Sequence, residues 1–154
     1  MTANLTQMRR EVLEIPVAVE RLLQNGGDDI RRAADAARAR DPHFMVSIAR
    51  GSSDHVATYL KYASELLTGI ATASIGPSIA SIYKRKLKLD GSVCVSVSQS
   101  GKSPDIVEMA RMARVSGALS LAFTNDPDSP LARVADHTLN LHAGPEISVA
   151  ATKT

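Results

Sequence analysis

The chain has one cysteine and no tryptophan, and aromatic residues make up only 3% of its 154 residues. A lone cysteine, Cys94, can close no disulfide and anchor no thiolate zinc framework. It lies in an apolar run with no neighbour that would lower its pKa, so we expect a buried packing residue rather than a nucleophile. The scarcity of aromatics leaves little from which to build stacking platforms for single-stranded nucleic acid. A net charge of +2 is also too small to suggest a nucleic-acid partner. No apolar run approaches the roughly 20 residues of a membrane helix. The opening residues, MTANLTQMRREVLEIP, place charges where a signal peptide needs an apolar stretch. No membrane partner is expected, and the expected location is the cytoplasm.

What is present is ordinary globular material, 44% hydrophobic and 22% charged, in a length that suits one α/β domain. Apolar runs occur at residues 44–49, 71–75, 93–98, 118–124 and 138–141. Most are nearly continuous, as in parallel strands covered on both faces. Helical periodicity lies between several of them. Val56, Tyr59, Leu60, Ala63, Leu66 and Leu67 form one apolar stripe closed by Gly69, and Ile106, Val107, Ala110 and Ala113 form another closed by Gly117. This βα alternation predicts an α/β fold: a three-layer αβα, doubly wound, five-stranded parallel sheet in the order 2-1-3-4-5, flavodoxin-like.

Two helical segments, 6–24 and 28–40, precede the first strand, with a hinge at 25–29. Met8, Val12, Ile15, Val19 and Leu22 fall at helical spacing in the first, and Pro16 is expected to break or restart it. Such a helix packs either on its own sheet or on a second domain or subunit; the second reading is the sharper one. The expected organisation is N-terminal helices over 1–40 and the sheet domain over 41–154. The final stretch, AGPEISVAATKT, reads as a loop followed by the first turns of a helix, with Pro145 at its start. Stopping there, the chain is expected to be the N-terminal part of a longer polypeptide.

In a doubly wound sheet, ligands bind beyond the carboxyl ends of the strands where strand order reverses. The hydroxyl-rich turns occur there. RGSSD follows the first strand and supplies Ser52 and Ser53; SQSGKS follows the third and supplies Ser98, Gln99, Ser100 and Ser103. A helix N-terminus offers unpaired N–H groups and partial positive charge, and Gly101 permits close backbone approach to an anion. Ser103-Pro104 is also an ordinary helix start, with Ser103 as cap. Two such turns on adjacent strands favour an anion site over simple capping. Gly101-Lys102-Ser103 matches the tail of a nucleotide-binding P-loop, but Ser96 stands where its first glycine belongs. The remaining turn is too short to wrap a triphosphate and suits one phosphate monoester. Lys102 has two readings, a point charge on the phosphate or a side chain facing water. Arg50 either touches the ligand or pairs with Asp54. His43, His55, His137 and His142 show no metal-ligand spacing, and Met109 and Met112 are expected in the core or against a partner.

RGSSD, SQSGKSPD and AGPEISVAATK, in this order and spacing, resemble the SIS (sugar isomerase) phosphosugar-binding domain. The pattern is similar to the isomerase half of glucosamine-6-phosphate synthase and to the second type of glucosamine-6-phosphate deaminase. PSIASIYKRKL and FTNDPDSPLARVAD look like the deaminase-type members. The resemblance implies two such domains in a protein about twice this length, most often a homodimer, needing no cofactor. It implies that Ser98, Gln99, Ser100 and Ser103 hold a sugar phosphate, and that Ser52, Ser53 and Val149 line the sugar. The catalytic residues are expected in later sequence or another subunit. Glu146 matches the glutamate of the family's GPE motif and is read as stabilising its own helix.

Ser52 and Lys102 stand where the synthase carries threonine and glutamate, and Thr2 follows Met1 where a glutaminase would place its cysteine. These departures favour ammonia release from an amino-sugar 6-phosphate over glutamine-dependent amination. A non-catalytic phosphosugar sensor is the alternative from another class, and the binding shell alone does not separate the two.

Overall fold

The structure is a computed structural model, and it describes residues 5–149, 151, 153 and 154. Its centre is a five-stranded, all-parallel sheet in the order β2-β1-β3-β4-β5. The strands are β1 (Met45–Ile48), β2 (Thr72–Ser74), β3 (Val93–Val97), β4 (Leu119–Thr124) and β5 (His137–Asn140). Each falls on or within one residue of an expected run. β3 is buried along its whole length, which is why its sequence is continuously apolar instead of alternating.

Helices α1 (Gln7–Asn25) and α2 (Gly27–Arg40) precede the sheet, and α3 (Ser52–Thr68), α4 (Ser78–Ser81), α5 (Pro104–Val115) and α6 (Pro130–Val134) connect its strands. One apolar cluster joins α4, α5 and α6 to the sheet through Ile106, Met109, Ala110 and Leu131, among others. A second lies on the opposite face, where Ala33 of α2 and Ala57 of α3 meet Val95, Leu121 and Leu139. The molecule is therefore the expected αβα sandwich. Met109 and Met112 both lie in the first cluster, which settles their two readings in favour of the core. Cys94 is buried, and burial pushes its thiol up to about 12, against a smaller lowering by Ser96. Among the described residues, no helix is long and apolar enough to cross a membrane.

Three local expectations need correction. Pro16 does not break α1, which runs unbroken from Gln7 to Asn25. An interior proline costs roughly 3 kcal/mol, and α1 offsets it because it is anchored on both sides of the proline: Glu11 and Glu14 before it, Arg21 after it, all bonded to the segment beyond β5. Only part of the apolar stripe of α3 faces the sheet, with Leu60 packed against the second cluster. Small residues, Ala57 and Ser64, are buried there, whereas Tyr59, Leu66 and Leu67 are 76%, 82% and 85% exposed. Residues 145–149 form no helix. They are held extended by side chains from elsewhere, which satisfy the backbone groups that a helix would have paired internally.

Candidate functional site

β1 and β3 are neighbours, with Ile48 opposite Ser96, so the turns that leave their carboxyl ends are adjacent. The turn after β1 uses Gly51 at φ 60° to enter α3, and Ser52 and Ser53 occupy the first turn of that helix. The turn after β3 runs from Ser98 to Ser103. Its Gly101 has φ 61°, and a Cβ there would lie 2.2 Å from Ser129 Oγ and 2.9 Å from Thr124 Oγ1. Glycine is thus required on two counts, conformation and space.

The second turn is fastened to β4. Ser98 N donates to Phe123 O (3.0 Å), while Gln99 O accepts from Asn125 N (3.0 Å) and Thr124 Oγ1 (3.2 Å). Gly101 O accepts from Leu131 N (3.1 Å). These bonds engage the carbonyls of Gln99 and Gly101 and fix the turn against β4 and α6. Among the described residues, the amides of Ser100, Ser103 and Asp105 meet no protein acceptor. Ser103 occupies the cap position of α5, yet its hydroxyl makes no capping bond. Among the described residues the hydroxyls of Ser52 and Ser53 likewise meet no protein partner, whereas Ser100 Oγ accepts from Lys102 N (3.3 Å). The arrangement is a set of donors at a helix N-terminus, which attracts an anion.

Ser52, Ser53 and Gln99 line one cavity of about 330 Å³. Ser98, Ser100 and Ser103 belong to the same turn as Gln99 but are not among its walls, and neither is Val149, which is 94% exposed. The cavity's remaining wall is apolar, with Val56, Tyr59, Leu60, Val97 and Phe123. A phosphate has no business in that interior; its donors lie at the serine-bearing rim. The apolar wall continues into the uncovered face of α3.

Two charge assignments also change. Arg50 Nε pairs with Asp105 of α5, not with Asp54, and so ties the two turns together across the strand boundary. Lys102 Nζ pairs with Asp126 Oδ2 (3.2 Å), an arrangement between its two expected readings. Neither pair was visible in the sequence, because each spans a long or irregular connection.

The part of the site that sequence reasoning missed is its support from α1. Glu11, 2% exposed, accepts from Ile147 N (2.8 Å) and Ser148 N (3.2 Å to Oε2). A hydrogen bond from Gln7, then those from residues 147 and 148, hold its carboxyl down at about 2. Glu14 is lowered by Arg21 and then by Lys153. Lys153 Nζ reaches Glu14 Oε2 (3.0 Å) and Pro145 O (2.7 Å), and Arg21 donates to the carbonyls of His142 (3.0 Å) and Ala143 (2.7 Å). Glu146 Oε1 accepts from Lys153 N (2.6 Å), so it braces this segment and does not cap a helix of its own. The available signal was the pair of carboxylates, Glu11 and Glu14, set among the apolar positions of the first helix.

A family model for the SIS domain matches residues 40–154, most of the chain. The chain belongs to the SIS domain family. This SIS-domain chain is 34% identical, over 148 residues, to a glutamine–fructose-6-phosphate aminotransferase (isomerizing) of Sulfurisphaera tokodaii, covering 96% of this chain and 24% of that one. Among solved structures, a candidate phosphosugar isomerase from Silicibacter pomeroyi superposes with a TM-score of 0.93 at 60% identity, covering 97% of this chain and 46% of that one. The C-terminal domain of a glucosamine-fructose-6-phosphate aminotransferase from Francisella tularensis superposes with a TM-score of 0.80 at 26% identity, covering 98% and 43%. The chain thus spans about a quarter of the curated aminotransferase and less than half of either solved chain.

Proposed function

We propose that the chain supplies the phosphosugar-binding shell of an amino-sugar-phosphate isomerase of the deaminating type. The observation that carries this reading is a set of donors on the turns after adjacent strands that meet no protein acceptor among the described residues: the hydroxyls of Ser52, Ser53 and Ser103 with the amides of Ser100, Ser103 and Asp105. A single phosphoryl group engages such a set with no metal. In this reading Ser98, Gln99, Ser100 and Ser103 hold the phosphate, and Ser52, Ser53 and Val149 meet the sugar. The names of the relatives, an isomerizing aminotransferase and a candidate phosphosugar isomerase, support this substrate class.

The reaction we favour turns glucosamine 6-phosphate and water into fructose 6-phosphate and ammonia. The ring opens, and a carboxylate takes the C2 proton. That proton's return at C1 gives the ketose imine, which water hydrolyses. The shell described here positions the substrate, and the base comes from other sequence or a second subunit. The uncovered apolar face of α3 supports a protein neighbour at the cavity, and a homodimer is the arrangement we favour.

Calorimetry with glucosamine 6-phosphate and fructose 6-phosphate tests the shell. Ser98→Ala combined with Ser100→Ala should weaken binding by roughly 1–3 kcal/mol for each lost buried hydrogen bond. Unchanged affinity would refute the site. Ammonia release measured on the whole protein separates the deaminase from a non-catalytic sensor.

A further inference from the structure

A second concavity lies on the opposite face of the sheet from α3, at the far end of α5 from the serine turn. Its volume is about 270 Å³, and it is recessed between the segment after α4 and the last turns of α5. Ala80 and Met112 form its floor, both buried. Lys84, Arg85, Lys86 and Arg111 form its walls, with Lys88 just beyond. Its wall on α5 runs from Glu108 to Val115, five to twelve residues beyond Ser103, which at 1.5 Å per residue is roughly 8 to 18 Å along the helix from the phosphate donors.

The charge here is uncompensated. No Asp or Glu occurs between Glu65 and Asp90. Elsewhere the cations are mostly matched: Arg31, Arg32, Arg38, Arg40, Arg50, Lys102 and Arg114 each pair with an aspartate. Lys84, Arg85, Lys86 and Lys88 enter no ion pair among the described residues, and the one acid in the wall, Glu108, is occupied by Arg111. Val115, in the wall of the notch, is 68% exposed, and Ile82 and Tyr83, immediately before Lys84 in the chain, are 70% and 67% exposed. Large apolar and aromatic side chains beside arginine are the composition of a protein-binding hot spot.

We propose that this notch docks an acidic segment of a partner protein, with carboxylates against Lys84, Arg85 and Lys86 and an apolar side chain over Met112 and Val115. The geometry favours a peptide over the other polyanions. The cations form a compact cluster, not a stripe that tracks a nucleic-acid backbone, and no aromatic side chain lines the notch, Tyr83 being the residue before Lys84 in the chain. Interfacial binding to a bilayer uses an amphipathic helix with cations along its polar face, and Lys84, Arg85 and Lys86 lie outside any helix.

Fluorescence anisotropy with a labelled peptide of alternating glutamate and leucine tests the proposal on the intact chain. The acidic peptide should bind, and its glutamine counterpart should bind at least about tenfold more weakly. Lys84→Glu with Lys86→Glu should lower affinity about tenfold or more, and added salt should lower it as well. Tyr83→Ala should lower affinity several-fold. Arg9→Glu, on the exposed surface of α1, should leave it unchanged. All of these side chains are exposed, so unfolding midpoints should hold. The proposal is overturned by failure of the acidic peptide to bind, by equal binding of the glutamine peptide, or by an equal loss in Arg9→Glu. It is also overturned if a single-stranded oligonucleotide or phosphatidylserine vesicles bind more tightly than the peptide with the same dependence on Lys84 and Lys86.

Discussion

Helices α3 and α5 follow the two serine-bearing turns, one on each face of the sheet, and their sequences look equally amphipathic. They are used in opposite ways. α5 buries Ile106, Val107, Met109, Ala110, Met112 and Ala113. α3 turns its small residues inward and leaves Tyr59, Tyr62, Leu66 and Leu67 to the outside. Periodicity shows that a helix has an apolar side, but not whether that side meets its own sheet or another surface. An apolar strip of this kind is a surface suited to a protein neighbour, and the same helix opens with Ser52 and Ser53, the serines we propose meet the sugar.

The contrast can be broken most directly by truncation. Met109→Ala in α5 should cost roughly 2–5 kcal/mol in urea unfolding, as buried methionines do. Leu66→Ala in α3 should change the isolated chain by no more than about 0.5 kcal/mol. Comparable losses would mean that α3 is packed after all. A smaller contrast separates the two turns. Gly51→Ala meets only the strain of a positive-φ backbone, about 1–3 kcal/mol, since nothing lies within 4 Å of its added Cβ. Gly101→Ala meets the same penalty plus a clash with Ser129 and Thr124, roughly 1–3 kcal/mol more. Equal midpoints for the two variants would refute the close fit of the second turn against β4.

The smallest expected effect concerns acid. The Glu11 carboxyl is lowered from 4.5 to about 2, so the folded state favours its charged form. Its contribution is therefore complete above pH 4.5 and is lost as pH falls toward 2. Unfolding midpoints of the wild type and Glu11→Gln should differ at neutral pH and converge through that window. A constant difference across the titration would show that Glu11 acts by packing alone.

Much of the architecture was legible because buried parallel strands such as β3 advertise themselves as nearly unbroken apolar runs, whereas β2 and β5, less buried, gave shorter and weaker ones. Both serine turns were legible for a similar reason: glycine and serine between a strand and a helix have few other uses. The expected pairing of Arg50 with Asp54 failed because sequence proximity favoured Asp54, whereas the fold brings Asp105 to the same guanidinium. The helix expected from Pro145 failed because its backbone amides are claimed by Glu11, 136 residues away. The carboxylate braces on α1 were hidden among its apolar positions, since their partners lie at the other end of the sequence.

That last feature bears on how the molecule forms. Glu11, Glu14 and Arg21 close against residues 121 to 139 positions downstream. During synthesis α1 leaves the ribosome first and meets none of these partners until β5 and the segment beyond it have emerged. Such distant contacts make closure late and slow. A nascent chain therefore carries α1, with its apolar residues exposed, until the segment beyond β5 has been made.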